Sequence, residues 1–178
     1  MRALTRAICW LVCLTTISLS LSGCGFHLRG SFTLAPPLKR MYLQTTDPYG
    51  ELARNLRQSL EATGVVFAET PQQASTVLEI IHENTSQQLL SVGGTQQTRQ
   101  YNLVLSVVFQ VTTPQSKIII PQQTVTKTQA ITVQADQILG GSNEENNLYH
   151  QMRKSIVYTL LNVLTSKEAT IRLTAVAR

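Results

Sequence analysis

Hydrophobic and polar residues alternate most regularly from Gln100 to Thr112, where Tyr101, Leu103, Leu105, Val107, Phe109 and Val111 fall on one side of an extended chain. The other side mixes Asn102, Ser106 and Gln110 with Val104 and Val108, which suits a central strand partly covered on both faces. The same period predicts strands over residues 39–45, with Met41 and Leu43 on one side, over Val65 to Phe67, and over TVLEIIHEN (76–84), continuing toward Leu90. Gly93-Gly94 and Pro114-Gln115-Ser116 mark turns on either side of the central strand. Ile118 to Ile120 is a further short strand, placed at an edge or a bulge by Pro121, which cannot donate to a ladder. From Thr124 to Gln134, Val125, Lys127, Gln129, Ile131 and Val133 alternate with Thr124, Thr126, Thr128, Ala130 and Thr132. Neither side is a plain core face, so this strand fits a wet, polar interface or an exposed edge.

Two segments repeat at helical spacing instead. Asp47-Pro48 reads as an N-cap followed by a proline at the first helical position, and Leu52, Leu56 and Leu60 then recur every four residues to Gly64, a left-handed stop. Residues 70–75 read as a linker. Gly140-Gly141 is expected to interrupt the pattern, with Ser142 and Glu145 forming a capping box. Leu148, Met152, Ile156, Leu160 and Val163 mark the buried stripe of a helix reaching about Thr165, with Asn147, Arg153 and Lys154 facing outward. Ser166 to Arg178 alternates weakly at Ile171, Leu173 and Val176 and is expected to be a frayed tail over 167–178. The order predicts one α+β domain over 39–166: a mostly antiparallel or mixed sheet of about four strands, with two amphipathic helices on one face.

The N-terminus follows another logic. Arg2 and Arg6 precede the uncharged run AICWLVCLTTISLSL, residues 7–21, the order of a secretory signal. The run falls short of the ~20 apolar residues of a spanning helix and contains Thr15, Thr16, Ser18 and Ser20. Leu21-Ser22-Gly23-Cys24 at its end resembles the bacterial lipobox. That resemblance implies a thioether-linked diacylglyceryl group on Cys24, removal of residues 1–23, and acylation of the new amine. Several acyl chains, at ~0.8 kcal/mol per buried methylene, anchor stably where a single chain does not. Residues 24–38, ending in Pro36-Pro37, then form the lipidated start and a tether. Gly25, where an Asp retains many such proteins in the inner membrane, implies sorting to the outer membrane.

Composition narrows the chemistry. Charged residues make up 14% of the chain, against ~25% in ordinary domains, while Gln and Thr are abundant, so much of the surface is polar but neutral. Of the formal charge of +5, Arg2 and Arg6 contribute two, leaving a scattered +3 that makes no nucleic-acid footprint. With Cys9 and Cys13 in the signal, Cys24 has no intramolecular disulfide partner, and His27, His82 and His150 show no metal-ligand spacing. His82 and Glu83 are adjacent on a strand and so point to opposite faces. The only two Asp are Asp47 and Asp136, and neither glycine pair has the spacing of a phosphate loop. The chain is read as a non-enzyme without metal or cofactor, a binding or assembly protein. Two readings of that class stand: a surface that packs against another polar wall, and a stand-alone periplasm-facing ligand-binding or scaffold lipoprotein.

GCGFHLRG at residues 23–30, DPYGELARNLRQSLEATGV at 47–65, QYNLVLSVVFQV at 100–111 and NEENNLYHQMRKSIVYTLLNVL at 143–164 together resemble the LptE lipopolysaccharide-assembly lipoproteins over essentially the whole mature chain. The resemblance implies an outer-membrane lipoprotein that plugs the LptD β-barrel, assists its assembly and binds lipopolysaccharide. It also implies basic contacts to lipid A phosphates, from the hairpin before the central strand and the loop before the last helix. The first region, SVGGTQQTRQ, offers Arg99; the second, QILGGSNEEN, offers no basic residue and has Gly140-Gly141 where relatives can carry Lys. Arg99 and Lys127 are the candidate lipopolysaccharide contacts.

Overall fold

A computed structural model of the protein describes residues 34–94, 98–134 and 138–176, the side chains of 138–142, 174 and 176 excepted. Cys24, the signal segment and most of the tether lie outside these residues. The elements are β1 (Arg40–Thr45), α1 (Glu51–Ala62), β2 (Val66–Phe67), β3 (Thr76–Val92), β4 (Thr98–Thr112), β5 (Ile118–Gln134), α2 (Ile138–Leu164) and α3 (Lys167–Val176). Short 3₁₀ turns occupy Pro36–Lys39 and Pro71–Gln73. The α+β class expected from the pattern holds, with five strands and three helices among the described residues, where about four strands and two helices were expected.

The strands form one mixed sheet in the order β2-β1-β3-β4-β5. β1 runs parallel to both neighbours, as the β1-α1-β2 crossover requires. β3, β4 and β5 form an antiparallel meander. Leu43, Leu78, Val111 and Ile120 lie in register across four strands, and all four are buried. Against this side of the sheet α1 buries Leu52, Ala53, Leu56 and Leu60, and α2 buries Met152, Ile156, Leu160 and Leu164. α1 and α2 also pack on each other.

Several local expectations change. Helix α1 starts at Glu51 with Gly50 at the N-cap, not at Asp47. Asp47 to Gly50 first closes a turn, the Gly50 N–H donating to the Asp47 carbonyl at 3.3 Å, with Pro48 at the second position that such turns favour. The Asp47 carboxylate folds over Gly50, where a Cβ would lie 2.5 Å from Oδ2. A Cβ at 50 would displace that carboxylate, the movable end of an exposed side chain. At the other end the helix stops where expected: Gly64 has φ +90°, the Gly64 N–H donates to the Glu61 carbonyl, and the Val65 N–H donates to Leu60. This is the Schellman pattern.

Gly140-Gly141 does not break α2, which already runs at Ile138. Position 142 thus lies inside the helix, not at its start. Two glycines cost about 1 kcal/mol each, less than the docking of a long apolar stripe returns. The expected frayed tail is α3, which buries Ala169 and Leu173 at helical spacing. Ser166 Oγ accepts from the Ala169 N–H at 3.1 Å, the N-cap geometry of a new helix.

Ile118 to Ile120 and Thr124 to Gln134 are one strand, β5, at the sheet edge. Its register shifts between the pairs Phe109↔Gln123 and Val111↔Ile120, the span that holds Pro121, so this proline sits both at an edge and at an irregularity. β3 shifts register between Ile80 and His82. Past that point Glu83, Thr85 and Gln87 face the helices, and His82, Asn84 and Ser86 face away.

Gly64 stands in open space, with no heavy atom within 4 Å of the point a Cβ would occupy, so its role is conformational only. Gly64→Ala is expected to cost about 1–2 kcal/mol, and Gly64→Asn less. Urea midpoints at unchanged m report it; an alanine variant as stable as the native chain would remove the cap from the account.

Candidate functional site

Two features stand out once the sheet is assembled: a polar outer face on the meander and a charged clamp on its helix side. On the outer face Asn84, Ser106 and Thr126 lie in one row across three strands, and Ser86, Val104 and Thr128 in the next. The Ser106 and Thr126 hydroxyls are 3.1 Å apart. Along β5 the outward residues Thr124, Thr126, Thr128, Ala130 and Thr132 are all exposed. From position 84 onward these rows carry no formal charge. Such a face can be desolvated against another polar wall if its hydroxyls and amides find partners, without stranding an ion.

The helix side differs. Arg153 of α2 donates from Nε to Glu83 Oε1 on β3 at 2.8 Å and from Nη1 to Glu51 Oε2 on α1 at 3.1 Å. The side chains of Arg153, Glu51 and Glu83 are 22%, 19% and 29% exposed, so the pairs are poorly screened. His150 Nδ1 lies 2.5 Å from the same Glu51 Oε2. Burial is the largest influence on Glu51 and pushes its carboxyl up; the hydrogen bond and charge of His150, with the charge and hydrogen bond of Arg153, outweigh it and hold the carboxyl below its usual range. Beside the clamp, Gln87 donates to Glu145, and the Tyr149 hydroxyl donates to the Ser86 carbonyl at 3.2 Å. Burial, together with the Glu145 charge and against that of Arg153, pushes the Tyr149 phenol up.

A cleft of about 530 Å³ next to the clamp is lined by Thr45, Asp47, Glu51, His82, Glu83 and Arg153, among others. Its Glu51 and Glu83 carboxylates are both held by Arg153. Among the described residues no group of three or more His, Cys, Asp or Glu is placed to hold a metal ion.

Arg99 and Lys127 both lie on the helix-facing side of the sheet, but not together. Arg99 pairs with Val133 and Lys127 with Leu105, six register positions apart, or roughly 20 Å at the rise of a strand. Arg99 is exposed near the β3-β4 turn. Lys127 is half-buried beside Leu148, Met152 and Ser155 of α2, at a cleft of about 230 Å³. His82 and Glu83 point to opposite faces of β3, as expected. Cys24 and Asp136 lie outside the described residues. Sequence reasoning placed Arg153 outward and missed the clamp; the local sign of it is an acidic residue, Glu51, in the first turn of α1.

A family model described as LptE, lipopolysaccharide-assembly, matches residues 38–164. The chain is 37% identical over 94 residues to the LPS-assembly lipoprotein LptE of Yersinia enterocolitica, covering 52% of this chain and 45% of that protein. It is 34% identical over 97 residues to the protein of the same description from Photorhabdus laumondii, covering 54% and 53%. The chain thus spans about half the length of the curated relatives it matches. Among solved structures, rare lipoprotein B from Shewanella oneidensis shares the fold, with a TM-score of 0.65 and 23% identity over 74% of this chain and 98% of that one.

The clamp generates a pH test. Because the Glu51 carboxyl is held low in the folded state, its contribution is fully present above the ordinary glutamate value of about 4.3 and is lost as pH falls through the lower folded value. Glu51→Gln is therefore expected to lower stability at pH 7, with the gap to the native chain closing below about pH 4.3; a gap constant from neutral to acid would contradict the pairing. Arg153→Met, which takes the cation from partly buried Glu83 and leaves Glu51 to His150, is expected to cost roughly 1–3 kcal/mol at pH 7 by denaturant titration.

Proposed function

We propose, from the premise that this chain belongs to the LptE family of lipopolysaccharide-assembly lipoproteins, that it is anchored in the outer membrane through acylated Cys24. There it plugs and helps assemble an LptD-like β-barrel and takes part in binding and inserting lipopolysaccharide. The observation that carries the reading is the neutral outer face of the β3-β4-β5 meander. A barrel lumen is polar, and a plug faced with Thr, Ser and Asn meets it by hydrogen bonding instead of by dehydrating ions, whose pairing seldom repays the cost of burial. The placement of charge agrees: Glu83, Lys127 and Arg153 are turned to the helix side. Lipopolysaccharide adds phosphates to be bound, for which exposed Arg99 has the matching charge.

Photo-crosslinkers placed in cells at Thr126 and Thr128 are expected to give an adduct of barrel size. No such adduct at either position, in cells that contain the barrel, sinks the plug reading. Thr126→Glu combined with Thr128→Glu buries two unpaired carboxylates and is expected to lower barrel co-purification by on the order of tenfold or more. Separately, Cys24→Ala is expected to leave an uncleaved precursor without acyl label; retained label contradicts the lipid anchor.

A further inference from the structure

Beyond the pair Thr45↔Ile80, β3 runs on to Val92 with β4 along one edge and, among the described residues, no strand along the other. Asn84 to Val92 are all exposed. Unlike β5, this margin holds no proline and no lysine, two of the devices that keep a strand edge from pairing. The Tyr149 hydroxyl reaches one backbone acceptor here, the Ser86 carbonyl, and a carbonyl keeps a second lone pair. The sheet is therefore stepped. The β3-β4 hairpin projects roughly 30–40 Å past the end of β1, and a notch opens where β1 turns off into α1.

The two ends of the step are complementary in charge. The notch is the cleft lined by Thr45, Asp47, Glu51, His82, Glu83 and Arg153, with three carboxylates to one guanidinium. Asp47 has no ion pair among the described residues. The tip carries Arg99, the only charged residue from Asn84 to Thr113. Within one chain the notch and the tip lie at opposite ends of the overhang, so a second copy reversed along the same edge brings each tip to the other's notch. The faces agree as well. The register shift between Leu89 and Ser91 leaves Leu90 as an extra residue. An antiparallel pairing centred on Gln87 then sets Thr85 opposite Leu89, Asn84 opposite Ser91 and Glu83 opposite Val92, each pair on one side of the joined sheet. Arg99, in register beside Val92, falls on the same side as Glu83 of the second copy.

We propose that two copies of the chain add to each other along this edge, antiparallel about a two-fold axis at Gln87, with each Arg99 in the notch of the other. Such a contact uses one surface twice and closes on itself, so it joins two five-stranded sheets and stops there. The proposal concerns the chain without its barrel and does not depend on the function proposed above.

The test uses the purified full chain with Gln87→Cys or, for comparison, Thr128→Cys, which lies off the edge, treated with a short bis-maleimide in detergent. The native chain, treated alike, reports any reaction at Cys24. A linked dimer is expected from Gln87→Cys well above the yield from Thr128→Cys. Arg99→Glu is expected to lower that yield several-fold by setting like charges together, and adding Asp47→Arg to restore it. Equal yields from positions 87 and 128 overturn the proposal, and an Arg99→Glu variant that links as well as its parent overturns the seating of the tip. An edge covered instead by residues 25–33 of the same chain leaves position 87 unreactive and gives no dimer, which overturns it too.

Discussion

The buried row Leu43, Leu78, Val111 and Ile120 crosses four strands, and α1 and α2 close over it with Leu56, Ile156 and Leu160. Burial of side chains this size is worth about 1.5–3 kcal/mol each, and this layer is the part of the core that joins the sheet to both helices. It also commits one side of the sheet. Since β1, α1 and α2 are drawn to that layer, the outer side of the meander is left to whatever chemistry function requires. Thr, Ser and Asn fill it at no cost to the core.

Away from that layer the helix side changes character. On β3 beyond Ile80 the helix-facing positions turn polar, with Arg153 joining Glu51 and Glu83 and then Gln87 joining Glu145, while Leu103 and Leu105 of β4 stay buried alongside. These contacts hold the angle between two helices and a strand by direction, where hydrophobic contact is indifferent to it. Breaking one partner is costly for a reason separate from the strength of the pair: the remaining carboxylate stays partly out of water. The clamp therefore specifies the seating of α1 and α2 more than it adds to their attachment.

How much of this was legible depended on how local the cause was. β4 and the Leu52, Leu56, Leu60 stripe were readable because a face repeats within a few residues. The N-cap was misplaced by three positions because Asp47-Pro48 suits a turn as well as a helix start, and here the chain closes the Asp47–Gly50 turn before the helix begins at Glu51. Gly140-Gly141 misled because propensity is local and the packing that overrides it is not. The tail shows a weak strand period at Ile171 and Leu173, yet its core contacts are Ala169 and Leu173, four apart. The Arg153 to Glu51 pairing spans 102 positions, and the extra residue at Ile81, which swaps the faces of β3, leaves no mark in the alternation. Arg99, taken from the hairpin region that the resemblance implies, and Lys127, taken with it as a second cation, proved to be six register positions apart.

Pro121 has a consequence beyond the geometry of β5. A free strand of 17 residues at the margin of a sheet is a template on which a second copy of the chain can grow a sheet of its own. Pro121 removes a backbone donor from β5, the register shift lies beside it, and Lys127 turns a charge toward the helices. Pairing of two copies along this margin is thereby disfavoured, and the neutral outer face beside it is left uncovered.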